Sequence, residues 1–88
     1  MWYFYVLESL NDKTFYKGYT ENLKRRLIEE HNKHRGGVFS KKHAPFKLIY
    51  YGAYLNKADA IKAESFFKTG YGREILNGKL VNYLINRE

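Results

Sequence analysis

The chain of 88 residues contains no cysteine, which excludes disulfide frameworks and cysteine-ligated metal sites. Long hydrophobic runs are also missing. The longest strongly apolar stretch, residues 2–7, is far shorter than the ~20 residues of a membrane-spanning helix, and no basic segment precedes it as a secretion signal requires. These absences predict a soluble cytoplasmic protein with a single domain over residues 1–88.

Acidic residues are scarce beside basic ones, with nine Asp and Glu against sixteen Lys and Arg and a net charge of +7. Such a field attracts polyanions, and counterion release from phosphates makes nucleic acid the commonest partner of this kind. Solubility alone is the other interpretation of the charge. Nine Tyr, six Phe and one Trp supply the apolar area that a small domain needs for its core.

Two β-rich runs open the chain, residues 2–9 and 14–20, and the polar turn between them predicts a hairpin. With a two-residue turn, Tyr5 faces Gly18 across the strands. Tyr5 and Tyr16 then lie on the same side of the sheet as diagonal neighbours. A three-residue turn would reverse this arrangement.

A helix, a loop and a third strand are predicted to follow the hairpin. Thr20 has the residue type of an N-cap, for a helix through about residue 33. Residues 34–45 combine two glycines, the proline and several bases, which is typical of a loop. Phe46–Tyr54 reads as a strand, in which Gly52 predicts a bulge.

The C-terminal third is predicted to be helical. Asn56 resembles an N-cap followed by an acidic first turn, and Gly70 predicts the end of that helix. Residues 73–86 predict a further helix, broken or bent at Asn77-Gly78. The order ββαβα(α) predicts an α+β fold, with a small three-stranded antiparallel or mixed sheet flanked by helices.

Glu64 stands out because it falls on an apolar helix stripe. Ala60, Ala63 and Phe67 share its face at helical spacing. A carboxylate on a buried face costs free energy unless it is paired or binds a cation. Two interpretations stay open: a structural ion pair with Lys68 one turn on, or a ligand for Mg²⁺ or Mn²⁺, hard ions that accept one or two carboxylates.

Arg26, Tyr5 and Tyr16 also have two interpretations each. Arg26 lies beside the buried seam of its helix, where it can extend its stem over the core or clamp a phosphate. The tyrosines are either core aromatics or chemical groups. A phenol is a poor general base, with an ordinary pKa near 10, unless a metal or a cation such as Arg26 favours its anion. Its hydroxyl can also position a water.

Basic residues in and around the loop are candidates for contact with a nucleic-acid backbone. A solvated loop is the alternative. The three histidines do not form a convincing metal triad, and contact with phosphate suits two of them better. The candidates for nucleic-acid contact are Lys17, Arg25, His34, Arg35, Lys41, Lys42 and His43.

Taken together, these residues resemble the GIY-YIG nuclease superfamily, in particular its small stand-alone bacterial (UPF0213-like) members. Tyr3-Phe4-Tyr5 stands at the first signature triplet and Tyr16-Lys17-Gly18 at the second. The segment GYTENLKRRLIEEHN is similar to the helix that follows, with Arg26 at the distance of the catalytic arginine. AIKAESFFKTGYGREIL is similar to the glutamate helix. The resemblance covers nearly the whole chain.

The resemblance implies an endonuclease that hydrolyses phosphodiester bonds in DNA with one Mg²⁺ or Mn²⁺ ion. Tyr16 would activate or orient the attacking water, and Tyr5 would assist. Arg26 would bind the scissile phosphate and stabilise the pentavalent charge. Glu64 would hold the ion, which stabilises the leaving oxygen. Gly18 would let the substrate or the helix approach its strand closely.

The chain departs from the family pattern at three points. The first triplet lacks its glycine and isoleucine. His31 follows Arg26 by five residues where the stand-alone pattern has four, a rotation of about 100° on an ideal helix. Either the helix contains a bulge or His31 has no catalytic part. Asn82 is the candidate for the C-terminal asparagine of the family, and Asn77 and Asn86 are the others.

A second function of another class fits the same residues. The domain could be a binding module for DNA or RNA, without turnover or dependent on a protein partner, because stand-alone members have no attached targeting domain. An exposed sheet edge would permit dimerisation without requiring it.

Overall fold

A computed structural model describes residues 1–32 and 45–87. The elements of this part are β1 (Trp2–Ser9), β2 (Phe15–Thr20), α1 (Leu23–Asn32), β3 (Phe46–Tyr54), α2 (Lys57–Phe67), α3 (Gly70–Lys79) and α4 (Val81–Asn86). The three strands form one sheet in the order β2-β1-β3, and both pairings are antiparallel. The predicted α+β class is confirmed, and the sheet is wholly antiparallel. None of the helices in these two ranges has the length and apolarity needed to span a membrane.

Part of the predicted basic surface lies outside the described residues. It comprises most of the predicted loop and five of the predicted nucleic-acid contacts, His34, Arg35, Lys41, Lys42 and His43.

The hairpin of β1 and β2 has the predicted register, in which Tyr5 faces Gly18 and Leu7 faces Tyr16. Its loop is longer than two residues. The Ser9 amide donates to the Thr14 carbonyl at 2.8 Å, and residues 10–13 form the turn. A loop of four residues keeps the predicted pairing of the strands because it differs from a two-residue loop by an even number of residues. Tyr5 and Tyr16 therefore share one side of the sheet, as predicted.

Side chains alternate along β1 and build two separate cores on the two faces of the sheet. On one face, Tyr5 and Leu7 pack with Phe46 and with Leu23 and Leu27 of α1. The other face carries the core of α2, α3 and α4, formed by Phe4, Val6, Ala63, Phe67, Leu76 and Leu80. The sheet therefore lies between α1 and the three later helices.

Two local predictions around the strands are wrong. Asn22, not Thr20, caps α1, because its side-chain oxygen accepts from the Arg25 amide at 2.9 Å. Thr20 still belongs to β2, and its hydroxyl accepts from the Asn22 amide. Gly52 pairs regularly with β1, and the irregularity in the β1–β3 register lies between Val6 and Leu7 instead.

The turn from α2 to α3 also differs from prediction. Asn56 caps α2 as predicted, since its side chain accepts from the Ala58 amide. Gly70 begins α3 instead of ending α2, because the Thr69 hydroxyl caps the new helix by accepting from Gly72. The turn is tight at Gly72, where a Cβ would lie 1.9 Å from the Phe66 carbonyl oxygen.

The last helical region breaks at Leu80 and not at Asn77-Gly78. Leu80 is buried in the core, whereas residues 77 and 78 are exposed and continue α3. Core packing therefore decides where the chain bends.

One carboxylate is buried on the α2–α4 side of the sheet. Glu8 is only 1% exposed, and its two oxygens accept from the Tyr83 hydroxyl and from the Arg87 guanidinium. This network ties the end of β1 to the C-terminal helix α4.

Candidate active site

Three of the predicted catalytic side chains meet on the α1 face of the sheet. Arg26 Nε donates to Tyr5 Oη at 3.1 Å, and Arg26 Nη2 donates to Tyr16 Oη at 3.5 Å. The two tyrosines come from neighbouring strands, and α1 places the arginine above them. The remaining guanidinium nitrogen, Nη1, donates to Glu29 Oε1 at 3.5 Å.

The three side chains differ in their solvent exposure. Tyr5 is buried, with 2% of its surface exposed, and Tyr16 is intermediate. The Arg26 side chain is 38% exposed. A phosphate could therefore reach the guanidinium and Tyr16 from solvent, while Tyr5 supports the guanidinium from below.

Gly18 makes room for Tyr5. A Cβ at residue 18 would lie 2.5 Å from Tyr5 Oη and 2.8 Å from the ring carbon that carries it. The structure shows the Tyr5 phenol close to Gly18, and not the helix named in the prediction; the phenol crosses the glycine towards Arg26. The second triplet needs a glycine here because the first triplet supplies a tyrosine opposite it.

Gly18→Ala should lower stability by about 1–3 kcal/mol, the usual effect of overpacking, and should displace the Tyr5 phenol from Arg26. The Tyr5 ring is buried and packs with Leu7 and Phe46, so a displacement would disturb the core. Urea unfolding monitored by circular dichroism measures the change. Gly78→Ala is the control, because its Cβ would meet nothing within 4 Å and the helix should gain stability. If both variants unfold at the wild-type urea concentration, the packing argument is wrong.

Glu64 belongs to α2, whose Ala63 and Phe67 pack in the core on the face of the sheet opposite Tyr5. Its side chain is 21% exposed, and Lys68 Nζ lies 3.3 Å from Oε2. The ion pair between Glu64 and Lys68, one of the two interpretations of Glu64, is therefore formed. The structure does not gather all four predicted residues into one hydrogen-bonded group.

Helix α2, which carries Glu64, and the tyrosine–arginine group both border strand β2. Helix α2 packs on β2 as well as on β1, and β2 is an edge of the sheet. Lys17 of β2 lies between Tyr16 and Gly18 in sequence. Burial lowers the pKa of Lys17, and the nearby charges of Arg73 and Lys68 lower it further. Lys68, the partner of Glu64, is thus close to the strand that carries Tyr16.

Glu64 fits a metal ion that can be held by a single protein carboxylate. Among the side chains that the structure describes, in residues 1–29 and 45–87, no three acidic or histidine groups are close enough together to hold a metal. A single carboxylate fits Mg²⁺ or Mn²⁺, which complete their shells with water and substrate phosphate. It does not fit a structural zinc site, which needs four protein ligands. Lys68 is 53% exposed and can leave the carboxylate without loss of core packing.

The remaining predicted site residues are dispersed. Arg25 is exposed and pairs loosely with Glu29 at 3.8 Å. The backbone of α1 is α-helical through residue 32, so no bulge absorbs the five-residue spacing of His31, which favours the interpretation that His31 has no catalytic part. Asn82 lines a cavity beside Tyr83 on α4, away from the tyrosine–arginine group.

The sequence analysis did not single out Glu29 or Arg73. Glu29 accepts from Arg26, and its position three residues further along the helix is the signal that could have indicated this contact. Lys68 and Arg73 converge on Lys17. No sequence pattern indicates this convergence, because it depends on how α2 and α3 pack on β2.

Comparison with known proteins identifies the family. The family model of the GIY-YIG catalytic domain matches residues 1–78. A UPF0213 protein of Pediococcus acidilactici is 43% identical over 76 residues, which cover 84% of this chain and 76% of that protein. A UPF0213 protein of Pediococcus pentosaceus is 47% identical over 66 residues, covering 75% of this chain and 67% of its own.

A solved structure agrees. The solution NMR structure of the UPF0213 protein BH0048 from Bacillus halodurans superimposes with a TM-score of 0.53 at 31% identity, covering 89% of this chain and 84% of that one. On the family match, the relatives and the shared fold, this chain belongs to the GIY-YIG nuclease family, within its group of small bacterial UPF0213 proteins.

Proposed function

We propose that the chain is an endonuclease that hydrolyses phosphodiester bonds in DNA with one divalent metal ion. The observation that carries this proposal is the contact of one partly exposed guanidinium with the phenols of both signature triplets. Such a group, held in place before substrate arrives, can stabilise charge on a phosphate without reorganising. Family membership supports the same reaction class.

Arg26 would bind a non-bridging oxygen of the scissile phosphate. Its hydrogen bonds to Tyr5 and Glu29 fix the orientation of the guanidinium, which keeps its charge aimed at the phosphate. Tyr16, the more exposed phenol, would orient the attacking water beside that phosphate and take part in moving its proton. Tyr5 is buried and acts by positioning Arg26.

Glu64 is the residue that would hold Mg²⁺ or Mn²⁺. When bound, the ion supplies Lewis-acid stabilisation of the leaving oxygen. Lys68 would release the carboxylate for this purpose, because an ion pair that is half exposed is weak and breaks readily. Glu64 would meet the substrate as the DNA backbone passes over the β2 edge.

Purified protein should nick supercoiled plasmid in the presence of Mg²⁺ or Mn²⁺ and stop when EDTA is added. Tyr16→Phe should lower the nicking rate by about 100-fold or more, the usual contribution of a group that manages a proton. Tyr71→Phe is the control, since Tyr71 is exposed on α3, where its ring contacts that of Phe66. Nicking by Tyr16→Phe at the wild-type rate would remove Tyr16 from the mechanism.

The Lys68–Glu64 ion pair favours a second candidate function. With the Glu64 carboxylate neutralised by Lys68, the basic surface around Lys17 and Arg73 could bind DNA or RNA without metal and without turnover, or cleave only with a protein partner. Retained binding without nicking in any divalent metal would support it. Competition between DNA and RNA at a fixed salt concentration would then identify the ligand.

A further inference from the structure

A cavity of about 310 Å³ lies where α3 packs beside β2, on the side of the sheet opposite Tyr16. Its lining combines two apolar side chains, two cations and one carboxamide, contributed by Phe15, Lys17, Arg73, Leu76 and Asn77. None of these five residues is acidic. The cavity has the polar groups and the dimensions to accept a phosphate.

Several positive charges lie close together at this cavity, and their mutual repulsion and partial burial cost free energy. Burial lowers the pKa of Lys17, and so do the positive charges of Arg73 and Lys68. Lys68 also pairs with Glu64, with its Nζ 3.3 Å from Oε2. Like charges held together in a partly buried site destabilise the fold unless an anion neutralises them.

The position of Lys17 relates this cavity to the proposed active site. Successive residues of a strand point to opposite faces of a sheet, so Tyr16 and Gly18 face Arg26 while Lys17 faces the cavity. Both sites border β2, an edge strand. A nucleic-acid backbone that crosses this edge meets the guanidinium of Arg26 on one side and the cavity on the other.

We infer that the cavity lined by Lys17, Arg73 and Asn77 binds a non-scissile phosphate of the substrate, close to the one held by Arg26. This inference rests on the proposed function for its substrate. Arg73 supplies a planar pair of donors, Lys17 supplies a second positive charge, and the Asn77 amide adds a neutral donor. The bound phosphate positions the backbone and carries no base specificity.

Fluorescence anisotropy with a labelled DNA oligonucleotide in EDTA tests the site without any cleavage. Arg73→Gln and Lys17→Gln should each weaken binding about 5–10-fold near 0.1 M salt and reduce the slope of log K against log salt by about one, as for one lost phosphate contact. Lys79→Gln is the matched control, because it removes the same charge from an exposed position of α3. Equal losses in all three variants would overturn the inference.

Thermal unfolding without nucleic acid separates a binding role from a structural one. Lys17→Gln should melt above the wild type, because it removes a partly buried charge next to two others. The wild type should gain stability as pH rises through the lowered pKa of Lys17 towards 10.5, since the unfolded chain then binds more protons. The variant should lack this gain. A lower melting temperature of Lys17→Gln would assign this lysine to the fold and overturn the inference.

The two proposals fail separately. If the wild type does not nick DNA but Arg73→Gln still binds more weakly than Lys79→Gln, hydrolysis is wrong and the phosphate site stands. If the wild type nicks DNA and Arg73→Gln binds like Lys79→Gln, only the phosphate site is wrong.

Discussion

Glu64→Gln should reduce metal-dependent nicking by about 1,000-fold, corresponding to roughly 4 kcal/mol of lost transition-state stabilisation. Glutamine has the shape of glutamate but no charge with which to hold a divalent cation. The fold should survive, because the exposed pair with Lys68 four residues away is worth only about 0.3–0.5 kcal/mol. Nicking rates over a range of Mg²⁺ and Mn²⁺ concentrations measure the effect.

Measuring the DNA affinity of Glu64→Gln in EDTA distinguishes a loss of catalysis from a loss of DNA binding. Glu64→Gln should bind DNA at least as tightly as the wild type, because a negative charge near the phosphates has been removed. Glu74→Gln makes the same change at an exposed position of α3 and should nick normally. If Glu64→Gln nicks at the rate of Glu74→Gln, Glu64 does not hold the ion.

The Lys68→Gln variant is a second test of whether Glu64 holds the metal ion. It frees the Glu64 carboxylate from its ammonium partner, so half-maximal nicking should need less Mg²⁺ than in the wild type. This shift is expected only if the carboxylate that binds Lys68 is the one that binds the metal.

Arg87→Ala should destabilise the fold by about 3 kcal/mol, the lower end of the range for breaking a buried ion pair. Glu8 is almost fully buried and would keep only the Tyr83 hydroxyl as a partner for its charge. We expect the lower end of the range because Glu8 keeps its hydrogen bond from the Tyr83 hydroxyl and because Arg87 is partly exposed. Urea unfolding at neutral pH measures it.

A double-mutant cycle separates the ion pair from the packing of Arg87. In a Glu8→Gln background the carboxylate charge is gone, so Arg87→Ala should cost much less than it does alone. Arg25→Ala is the surface control. Its pair with Glu29 is exposed at 3.8 Å and should contribute less than about 1 kcal/mol. If Arg87→Ala is no more harmful than Arg25→Ala, the buried network does not hold α4.

The local structure was predictable wherever a single residue type decides it. Asn56 caps α2 because its side chain reaches the second amide of the helix, and Phe46–Tyr54 is a strand with the predicted bounds. Predictions failed where two neighbouring residues compete. Thr20 and Asn22 are both good caps, and the length of β2 decides between them. Gly70 follows Thr69, whose hydroxyl starts a new helix where glycine alone predicts a stop.

By itself, the sequence indicated the family through its resemblance, the fold class and the side of the sheet that Tyr5 and Tyr16 share. It could do so because strand alternation and the short hairpin place both tyrosines on one face, and α1 follows directly. Only the tertiary structure decided that α2, the helix of Glu64, packs on the other face of the sheet and also contacts β2, and that Lys68 and Arg73 converge on Lys17. Periodicity determines which side of its own element a residue occupies, whereas the distance between helices on opposite faces is set by how they pack on the sheet.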